Sequence, residues 1–468
     1  MEGRKLHFIA IGGAGMSGLA LACHARGAQV SGSDRVASAT IERLREAGIE
    51  PGIGHDAARV PADADVVVST AIPPDNAELM RARERGQSVL HRGELLAELC
   101  AAGRLIAVAG AHGKTTTSGM LTHALREAGA EPSFLLGGDL PGAGPGGAPA
   151  NAGWADGGWI VAEADESDGS FLELRAEVAV VTNVELDHHS HWGGEGELIE
   201  AFARFTSPAA AIVRPAGPRL ASLDGAGSTV TFAVPEGSRP LLEGGLVVSD
   251  VAAVKGGSEF TVSAPEIGSR EVRLGVPGRH NVANATAAIG ALIAARRRDP
   301  GLPPIESLIA ALVSFPGMAR RLERKGEWRG ALIYDDYAHH PTEVEASLAA
   351  LRELPHRRLI AVFQPHLYSR TKALASRFGR ALSRADEVGV LEVYPAREEP
   401  VGALAGVSGL QVARAVADAA PGRRVLWLAD LDRALDVLAE RVGPGDVLVT
   451  LGAGDVFQLA DRMIGEGR

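Results

Sequence analysis

The stretch GAHGKTTT at residues 110–117 combines glycines, a lysine and hydroxyl side chains in the order that phosphate chemistry uses. It follows the apolar run RLIAVAG and precedes a helical pattern, so the turn points backbone N–H groups at an anion. Lys114 can reach terminal phosphates, and the hydroxyl of Thr115 or Thr116 is a ligand type for magnesium. The spacing is G-x-x-G-K-T, with Val108 where the common phosphate loop has its first glycine. A turn that only caps a helix is the simpler alternative.

A cluster of four carboxylates ends the next apolar run, in WIVAEADESDGSF. Beside a phosphate loop, such oxygens suit magnesium, a hard cation that prefers oxygen ligands. A solvated acidic turn is the alternative, and it is the better one for an isolated acidic run. The four members are Glu163, Asp165, Glu166 and Asp168.

The segment IGGAGMSG at residues 11–18 carries a second pattern, Gly13-x-Gly15-x-x-Gly18, directly after the apolar run LHFIAIG. This spacing is the dinucleotide fingerprint of nicotinamide and flavin enzymes. Asp34 lies near the distance at which an acidic residue contacts the ribose in such enzymes. A dinucleotide-dependent oxidoreductase is therefore one hypothesis, although it leaves the lysine loop and the four carboxylates unexplained.

Three further groups of polar residues follow predicted strands or begin predicted helices, and each is weak evidence by itself. A single histidine is as often a surface residue as a ligand, and asparagines at a helix start are commonly caps. The groups that follow strands lie where open α/β sheets bind ligands. They are Asn183, Asp187 and His188; His280, Asn281 and Asn284; and Asp336, His339 and Arg370.

Short β-rich runs alternate with helical patterns along most of the chain, which predicts parallel sheets with crossover helices. One such helix is TTTSGMLTHALREA, which ends before Gly129. We predict an α/β protein of three domains, at residues 1–103, 104–315 and 316–468. The loop at 140–158 is flexible by composition, and residues 207–275 indicate only short peripheral strands of the second domain.

Composition excludes several classes of function. The chain has 468 residues and a net charge of −11, which argues against broad attraction to nucleic acid or anionic membranes. No apolar run reaches the roughly 20 residues needed to insert across a bilayer. Cys23 and Cys100 share no metal-ligand spacing and are too few for a disulfide scaffold, so we expect a cytoplasmic protein. A homo-oligomer is left open.

Taken together and in this order, the motifs resemble those of the Mur ligase family from end to end. They are IGGAGMSGLA, VSGSD, VVVSTAI, AHGKTTT, EADESDGSFL, TNVELDHH, PGRHNVANA, RRLE, DDYAHHPTEV and FQPHLYSRT. The resemblance implies a Rossmann-like UDP-sugar-binding domain, a central P-loop ATPase-like domain and a Rossmann-like C-terminal domain. It also implies the ATP- and Mg²⁺-dependent joining of L-alanine to UDP-N-acetylmuramate through an acyl phosphate, in peptidoglycan precursor synthesis.

The resemblance further implies a role for individual residues. It implies an ATP site at Gly110, Ala111, His112, Gly113, Lys114, Thr115, Thr116, His280, Asn281, Asn284 and Arg320. It implies a UDP-sugar site at Gly13, Ala14, Gly15, Met16, Ser17, Gly18, Asp34, Ser69 and Thr70. It implies that magnesium is held by Thr115, Glu163 and His188. It implies that catalysis uses Lys114, Glu163, His188, Arg321 and His339. It implies that the muramyl or amino-acid carboxylate is held by His339 and Arg370. Either Arg320 or Arg321 would approach the transferring phosphate, which implies closure of the domains.

The chain departs from the family pattern at two positions and leaves two other hypotheses open. Leu367 stands where the family usually has arginine, and Ala111 replaces the threonine common before His112. No lysine lies between Lys114 and Lys255, so the carbamylated lysine of sister ligases has no candidate there. A ligase that joins preformed tripeptides to the same nucleotide sugar is one alternative. A P-loop switch or motor that hydrolyses ATP to move a partner is the other.

Overall fold

The computed structural model describes residues 1–186, 192–234, 245–396 and 398–466. Internal packing divides the chain into two compact units. The first comprises Met1–Asp250, Thr261–Val272 and Ala283–Phe315, and the second comprises Val251–Phe260, Arg273–Val282 and Pro316–Arg468. The first unit therefore contains the predicted N-terminal domain and most of the predicted central domain.

A five-stranded parallel sheet opens the first unit. Its strands are β1 (Lys5–Ile9), β2 (Gln29–Asp34), β3 (Gly52–Ile53), β4 (Asp65–Val68) and β5 (Val89–His91), and its helices are α1 (Ala14–Ala25), α2 (Ala39–Glu46), α3 (Ala77–Glu84) and α4 (Arg92–Cys100). The strand order is β3-β2-β1-β4-β5, which is the Rossmann-like order. The order changes direction beside β1, and the glycine turn of residues 11–18 follows that strand at the edge where such sheets bind ligands.

A ten-stranded sheet follows. Its strands are β6 (Arg104–Ala109), β7 (Ser133–Leu140), β8 (Ala150–Gly153), β9 (Trp159–Glu163), β10 (Val178–Val181), β11 (Ala211–Pro215), β12 (Ser228–Ala233), β13 (Leu246–Val254), β14 (Gly257–Ala264) and β15 (Gly268–Leu274). Its helices are α5 (Lys114–Glu127), α6 (Glu195–Thr206), α7 (Arg279–Arg298) and α8 (Ile305–Ala310). The order is β15-β14-β13-β12-β11-β10-β6-β9-β7-β8. Residues of β13, β14 and β15 are divided between the two units.

The second unit contains a six-stranded sheet with the order β16-β17-β21-β18-β19-β20, whose strands are β16 (Glu323–Trp328), β17 (Ala331–Asp336), β18 (Leu359–Phe363), β19 (Glu387–Val390), β20 (Arg424–Trp427) and β21 (Val447–Leu451). Its helices are α9 (Pro341–Arg352), α10 (Tyr368–Leu382), α11 (Gly409–Ala419), α12 (Leu431–Ala439) and α13 (Phe457–Glu466). Among the described residues of this six-stranded sheet, only the β16–β17 pair is antiparallel. Short 3₁₀ segments elsewhere lie at Ala57–Arg59, Pro145–Gly147, Ser170–Glu173, Pro218–Leu223, Ala311–Ser314 and Gly402–Leu404.

One buried core joins the first two sheets within the first unit. It contains Leu6 and Phe8 of β1 together with Phe171 and Phe202, which lie far along the chain. The helix α1 packs against β8: a Cβ built on Gly18 would lie 3.3 Å from the side-chain nitrogen of Asn151. The third glycine of the fingerprint therefore permits close packing of a helix on a strand, which is the role such a glycine has in dinucleotide-binding folds.

Polar contacts fix the same junction. The side-chain nitrogen of Asn151 donates to the carbonyl of Ala14 at 2.8 Å, and Arg43 of α2 pairs with Asp139 of β7 at 2.7 Å. The helices α1 and α2 are thus held by contacts with the central sheet as well as by the N-terminal sheet. None of the helices in the described ranges is both long enough and apolar enough to cross a membrane.

Candidate active site

The phosphate loop between β6 and α5 depends on two glycines in left-handed backbone conformations. Gly110 has φ +135° and Gly113 has φ +82°. A Cβ on Gly110 would overlap the hydroxyl of Thr182, and a Cβ on Gly113 would overlap the side-chain oxygen of Asn284. The backbone of the loop therefore lies directly against its neighbours, and the space is fitted to glycine alone.

The end of β10 holds the middle of this loop. The backbone N–H of His112 donates to Oδ1 of Asn183 at 3.0 Å. In return the carbonyl of His112 accepts from the Thr182 hydroxyl at 2.6 Å and from Nδ2 of Asn183 at 2.7 Å. Asn183, which the sequence singled out, is thus an anchor of the loop. Its predicted neighbours Asp187 and His188 lie outside the described residues.

We expect Gly110→Ala to impair nucleotide binding selectively. The added methyl group meets Thr182 and the backbone is held at a φ that alanine rarely adopts, so the loop must move. The expected result is a rise of at least about tenfold in the KM for ATP, measured by steady-state kinetics. Gly129→Ala is the matched control, because Gly129 has φ +85° just beyond the other end of α5 and a Cβ there meets nothing within 4 Å. Equal KM values for the two variants would contradict the prediction.

Lys114 begins α5 and forms an ion pair with Glu166. Its Nζ donates to the carbonyl of Gly110 at 2.6 Å and to Oε2 of Glu166 at 2.8 Å. The exposed fractions of the two side chains are 12% and 3%. Burial opposes the charged form of Lys114, but the carboxylates of Glu166, Asp165 and Glu163 outweigh it and raise the pKa of the lysine. Lys114 therefore remains a cation, as phosphate binding requires.

Glu166 is the buried partner of this pair. Burial raises its pKa, against the effect of Lys114. Its second oxygen, Oε1, is buried and has no hydrogen-bond partner among the described residues. The sequence interpretation placed Glu166 among the carboxylates that suit magnesium, whereas the structure pairs it with the loop lysine.

Glu163, at the end of β9, lies beside Thr115. Its Oε2 accepts from the Thr115 hydroxyl at 2.9 Å and from the backbone N–H of Gly137 at 2.9 Å. A hydroxyl and a carboxylate are ligand types that Mg²⁺ takes in proteins, so these residues fit that ion. The structure thus brings together two of the three predicted magnesium ligands, and the third, His188, is outside the described ranges.

The other two carboxylates of the acidic segment bind Arg92 of α4. Its Nη2 donates to Asp165 at 2.6 Å and to Asp168 at 2.9 Å. Burial opposes the ionised form of Asp165, but Lys114 and Arg92 outweigh it and hold the pKa of that carboxyl well below its usual range. Sequence reasoning missed Arg92, because a single arginine after a short strand carries no motif.

The N-terminal glycine turn is exposed at residues 13–15, and Met16, Ser17 and Gly18 are buried. Asp34 accepts from the backbone N–H of Gly12 at 2.9 Å, so its carboxylate fixes the turn. Ser69 and Thr70 follow β4 at the same edge of the sheet, where Ser69 is half-buried and Thr70 is exposed. Of the predicted UDP-sugar residues, those at 13–15, 69 and 70 are thus accessible, whereas Met16 and Gly18 face the core.

The helix α7 carries the predicted His280, Asn281 and Asn284. Asn284 is buried beside the phosphate loop, where its side-chain oxygen occupies the space next to Gly113. Asn281, in the second unit, donates to the carbonyl of Pro277 at 2.8 Å and so fixes the start of the helix. Burial lowers the pKa of His280 to about 4, which keeps the ring neutral at pH 7.

In the second unit, Arg320 is part of the scaffold. Its guanidinium donates to Asp335 at 3.1 Å and to the carbonyl of Gly452 at 2.7 Å, and it lies 4.5 Å from the ring centroid of Phe457. Asp335 is buried and also accepts from a threonine hydroxyl at 2.6 Å. These bonds hold the guanidinium inside the unit.

Asp336 and His339 lie at the carboxyl end of β17. Asp336 is buried and accepts from the N–H groups of Leu322 and Ala338 and from the Ser347 hydroxyl, so it anchors the local backbone. Burial raises its pKa to about 6. The half-buried His339 has Nδ1 at 3.0 Å from the carbonyl of Tyr337.

Arg370 lies in the first turn of α10, at the same sheet edge as β17 and β18. It is half-buried. Leu367, where the family usually has arginine, is the residue before this helix and has φ +68°. Its backbone N–H donates to the carbonyl of Tyr394 at 2.9 Å. Position 367 is thus fixed through its backbone, whatever side chain it carries.

Comparisons with known proteins agree with this geometry. Three family models match the chain: "Mur ligase family, catalytic domain" at residues 5–104, "Mur ligase middle domain" at 108–292 and "Mur ligase, glutamate ligase domain" at 320–454. A relative from Kineococcus radiotolerans is 46% identical over 98% of this chain and 95% of its own, and one from Saccharopolyspora erythraea is 45% identical over 99% and 93%. Both are named UDP-N-acetylmuramate--L-alanine ligase.

Solved structures give the same result. The crystal structure of UDP-N-acetylmuramate-alanine ligase MurC from Thermotoga maritima matches with a TM-score of 0.82 and 28% identity, over 99% of both chains. A murein peptide ligase from Psychrobacter arcticus shares the fold, with a TM-score of 0.71, 24% identity and coverage of 99% and 98%. The two glycine-rich loops and the three sheets are thus those of an α/β ligase with three domains, and the chain belongs to the Mur ligase family.

Proposed function

We propose that this chain joins L-alanine to the carboxylate of UDP-N-acetylmuramate, with ATP converted to ADP and phosphate, as a step in peptidoglycan precursor synthesis. The observation that carries the proposal is the loop in which Lys114 and Thr115 begin α5 and contact two carboxylates, Glu163 at the end of β9 and Glu166 just beyond it. The relatives that bear the name of this activity match nearly the whole chain.

The reaction has to bring two anions together. The carboxylate oxygen of the sugar forms a bond to the γ-phosphorus of ATP while the bond to ADP breaks, which gives an acyl phosphate. The amine of L-alanine then attacks the acyl carbon, loses a proton, and phosphate leaves from the tetrahedral intermediate. Such chemistry needs positioned cations and donors and no covalent nucleophile.

Lys114, the loop amides and the Thr115–Glu163 pair fit these needs. The Lys114 ammonium places positive charge where the terminal phosphates approach, and the loop amides donate to phosphate oxygens. Thr115 and Glu163 would hold Mg²⁺, which supplies further positive charge to the phosphates. Glu166 keeps Lys114 charged and holds it within the loop. The ammonium would leave this ion pair to bind the nucleotide.

The nucleotide sugar is assigned to the N-terminal sheet. Its exposed glycine turn offers the first-turn amides of α1, and Asp34 holds the turn from behind.

The boundaries 1–103, 104–315 and 316–468 remain our proposal for the domains. The muramyl or amino-acid carboxylate is assigned to His339 and Arg370, with Leu367 unable to add a charge.

We assign catalytic importance to Arg321 and a structural role to Arg320. Arg320→Ala should lower the free energy of unfolding by about 3 kcal/mol, because it leaves the buried Asp335 without its cation. Arg321→Ala should lower kcat by about 10²-fold or more. Thermal unfolding and steady-state kinetics on both variants test this. Loss of kcat in Arg320→Ala but not in Arg321→Ala would reverse the assignment.

We place the reaction in the cytoplasm. Both cysteines are buried in the first unit, and burial raises the pKa of Cys23 and of Cys100 to about 12. At neutral pH both therefore remain thiols with little reactivity. Neither is suited to nucleophilic or redox chemistry, which agrees with a mechanism that uses only charge and position.

Phosphate release from ATP tests the proposal directly. With the purified chain and Mg²⁺, we expect release only when UDP-N-acetylmuramate and L-alanine are both present, with the ligated product visible by mass spectrometry. Release with a preformed tripeptide in place of L-alanine would assign the peptide-joining reaction instead. Release with neither small substrate would favour a P-loop switch or motor.

A further inference from the structure

Arg92 lies between the N-terminal glycine turn and the acidic segment of the central sheet, both in the first unit. Its Nη2 serves Asp165 and Asp168, and its side chain is 22% exposed. On its other side, a Cβ built on Gly15 would lie 3.2 Å from Nη1 of the same guanidinium. One arginine therefore contacts the carboxylates and borders the first turn of α1.

The position of Arg92 is fixed by the start of α4. The side chain of His91 accepts from the N–H of Gly93 at 3.2 Å, and Glu94 accepts from the N–H of His91 at 2.7 Å, which together cap the helix. A Cβ on Gly93 would overlap the side chain of Ser170, so the helix start lies directly against the segment that follows Asp168. This packing leaves the guanidinium little freedom to move.

The face that Arg92 turns towards Gly15 is equipped for an anion. Within the described ranges, Nε and Nη1 of Arg92 donate to no protein atom, and neither do the N–H groups of Ala14, Gly15 and Met16. An arginine side chain presents its donors in a planar fork that matches phosphate oxygens. Donors from the helix and from the side chain thus meet at one place.

The carboxylates behind Arg92 make its charge necessary. Asp165 and Asp168 would otherwise direct two negative charges towards an approaching diphosphate, and like charges at such distances repel. With Nη2 bound to both, Arg92 neutralises them and still has unused donors for the ligand.

We propose that Arg92 binds the diphosphate of the nucleotide sugar through Nε and Nη1 while Nη2 holds Asp165 and Asp168. This inference rests on the proposed function, since it concerns the same nucleotide sugar. It makes Arg92 a substrate-binding residue that also screens the diphosphate from the acidic segment.

Binding of UDP and of uridine separates this role from a structural one. For Arg92→Gln we expect the Kd of UDP and of UDP-N-acetylmuramate, measured by calorimetry, to rise about 10- to 100-fold, with the Kd of uridine unchanged. Arg92→Lys keeps a charge between the two aspartates, but its single ammonium cannot bind both the aspartates and the diphosphate. This variant should therefore unfold near the wild-type temperature and still bind UDP about tenfold more weakly. Arg4→Gln is the control: Arg4 pairs with Asp65 and Glu98 at the opposite end of β1.

The outcomes are distinct. Unchanged UDP binding in both Arg92 variants would overturn the inference, and so would an equal loss of uridine and UDP binding, which marks a purely structural effect. Failure of the wild-type chain to bind UDP-N-acetylmuramate at all would instead overturn the proposed function.

Discussion

Lys114→Ala should abolish formation of the acyl phosphate, with a loss of about 10³-fold or more in kcat. The lysine is the cation that the loop contributes to the transferring phosphate, and removing one such preorganised group costs about 3 to 4 kcal/mol or more of transition-state stabilisation. The measurement is phosphate release at saturating ATP, UDP-N-acetylmuramate and L-alanine. Turnover near that of the wild type would contradict the role.

The same substitution should also destabilise the protein, and a second variant separates the two effects. Lys114→Ala leaves Glu166 buried without its cation, which costs about 3 kcal/mol or more. Since the buried carboxyl has a raised pKa, the folded state favours its protonated form, and the loss of stability grows as pH rises through that pKa. Adding Glu166→Gln should restore most of the stability but none of the activity. Recovery of activity in the double variant would mean that the lysine acts only on the fold.

Glu163→Gln should weaken the dependence of the enzyme on magnesium while it leaves the loop in place. Glutamine can still accept from the Thr115 hydroxyl and from the N–H of Gly137, but the negative charge that holds the cation is lost. We expect kcat to fall about 10²-fold and the Mg²⁺ concentration for half-maximal rate to rise by a similar factor. Rate measurements over a magnesium titration test both.

Glu177→Gln provides the matched control for this prediction. Glu177 precedes β10 in the same unit and binds Arg104 and Arg298, and its hydrogen bond with Arg104 lowers the pKa of Glu177 to about 2. Glu177→Gln removes a glutamate charge by the same substitution as Glu163→Gln. It should lower stability without altering the magnesium titration. The assignment of Glu163 fails if both variants shift the titration equally, or if neither does.

The features that sequence predicted well are those encoded over short stretches. The run RLIAVAG is buried strand β6, the loop after it begins a helix with Lys114, and Gly129 follows that helix with positive φ. Alternation of apolar runs and helical patterns predicted three α/β sheets, which the structure contains. Local propensity and periodicity suffice for such elements because each is specified by neighbours in the chain.

The features that sequence missed depend on residues far apart in the chain. Asp165 and Asp168 were interpreted with the magnesium site, yet their partner Arg92 lies 73 and 76 positions away. The loop at 140–158 was expected to be flexible, but residues 150–153 form strand β8, which pairs with β7 and whose Asn151 binds α1. The dinucleotide fingerprint pointed first to an oxidoreductase, and only the later motifs identified a ligase.

The core that joins the first two sheets has a consequence for synthesis on the ribosome. The core that α1 and β1 share with the central sheet includes Ala152, Phe171 and Phe202, which emerge from the ribosomal tunnel well after the N-terminal sheet is complete. Domains generally fold in the order in which they are translated. In this chain the apolar surface of the first hundred residues stays uncovered until roughly the next hundred residues have been synthesised. The N-terminal domain is thus first to be made and among the last to be finished, and until then it is a natural client for a chaperone.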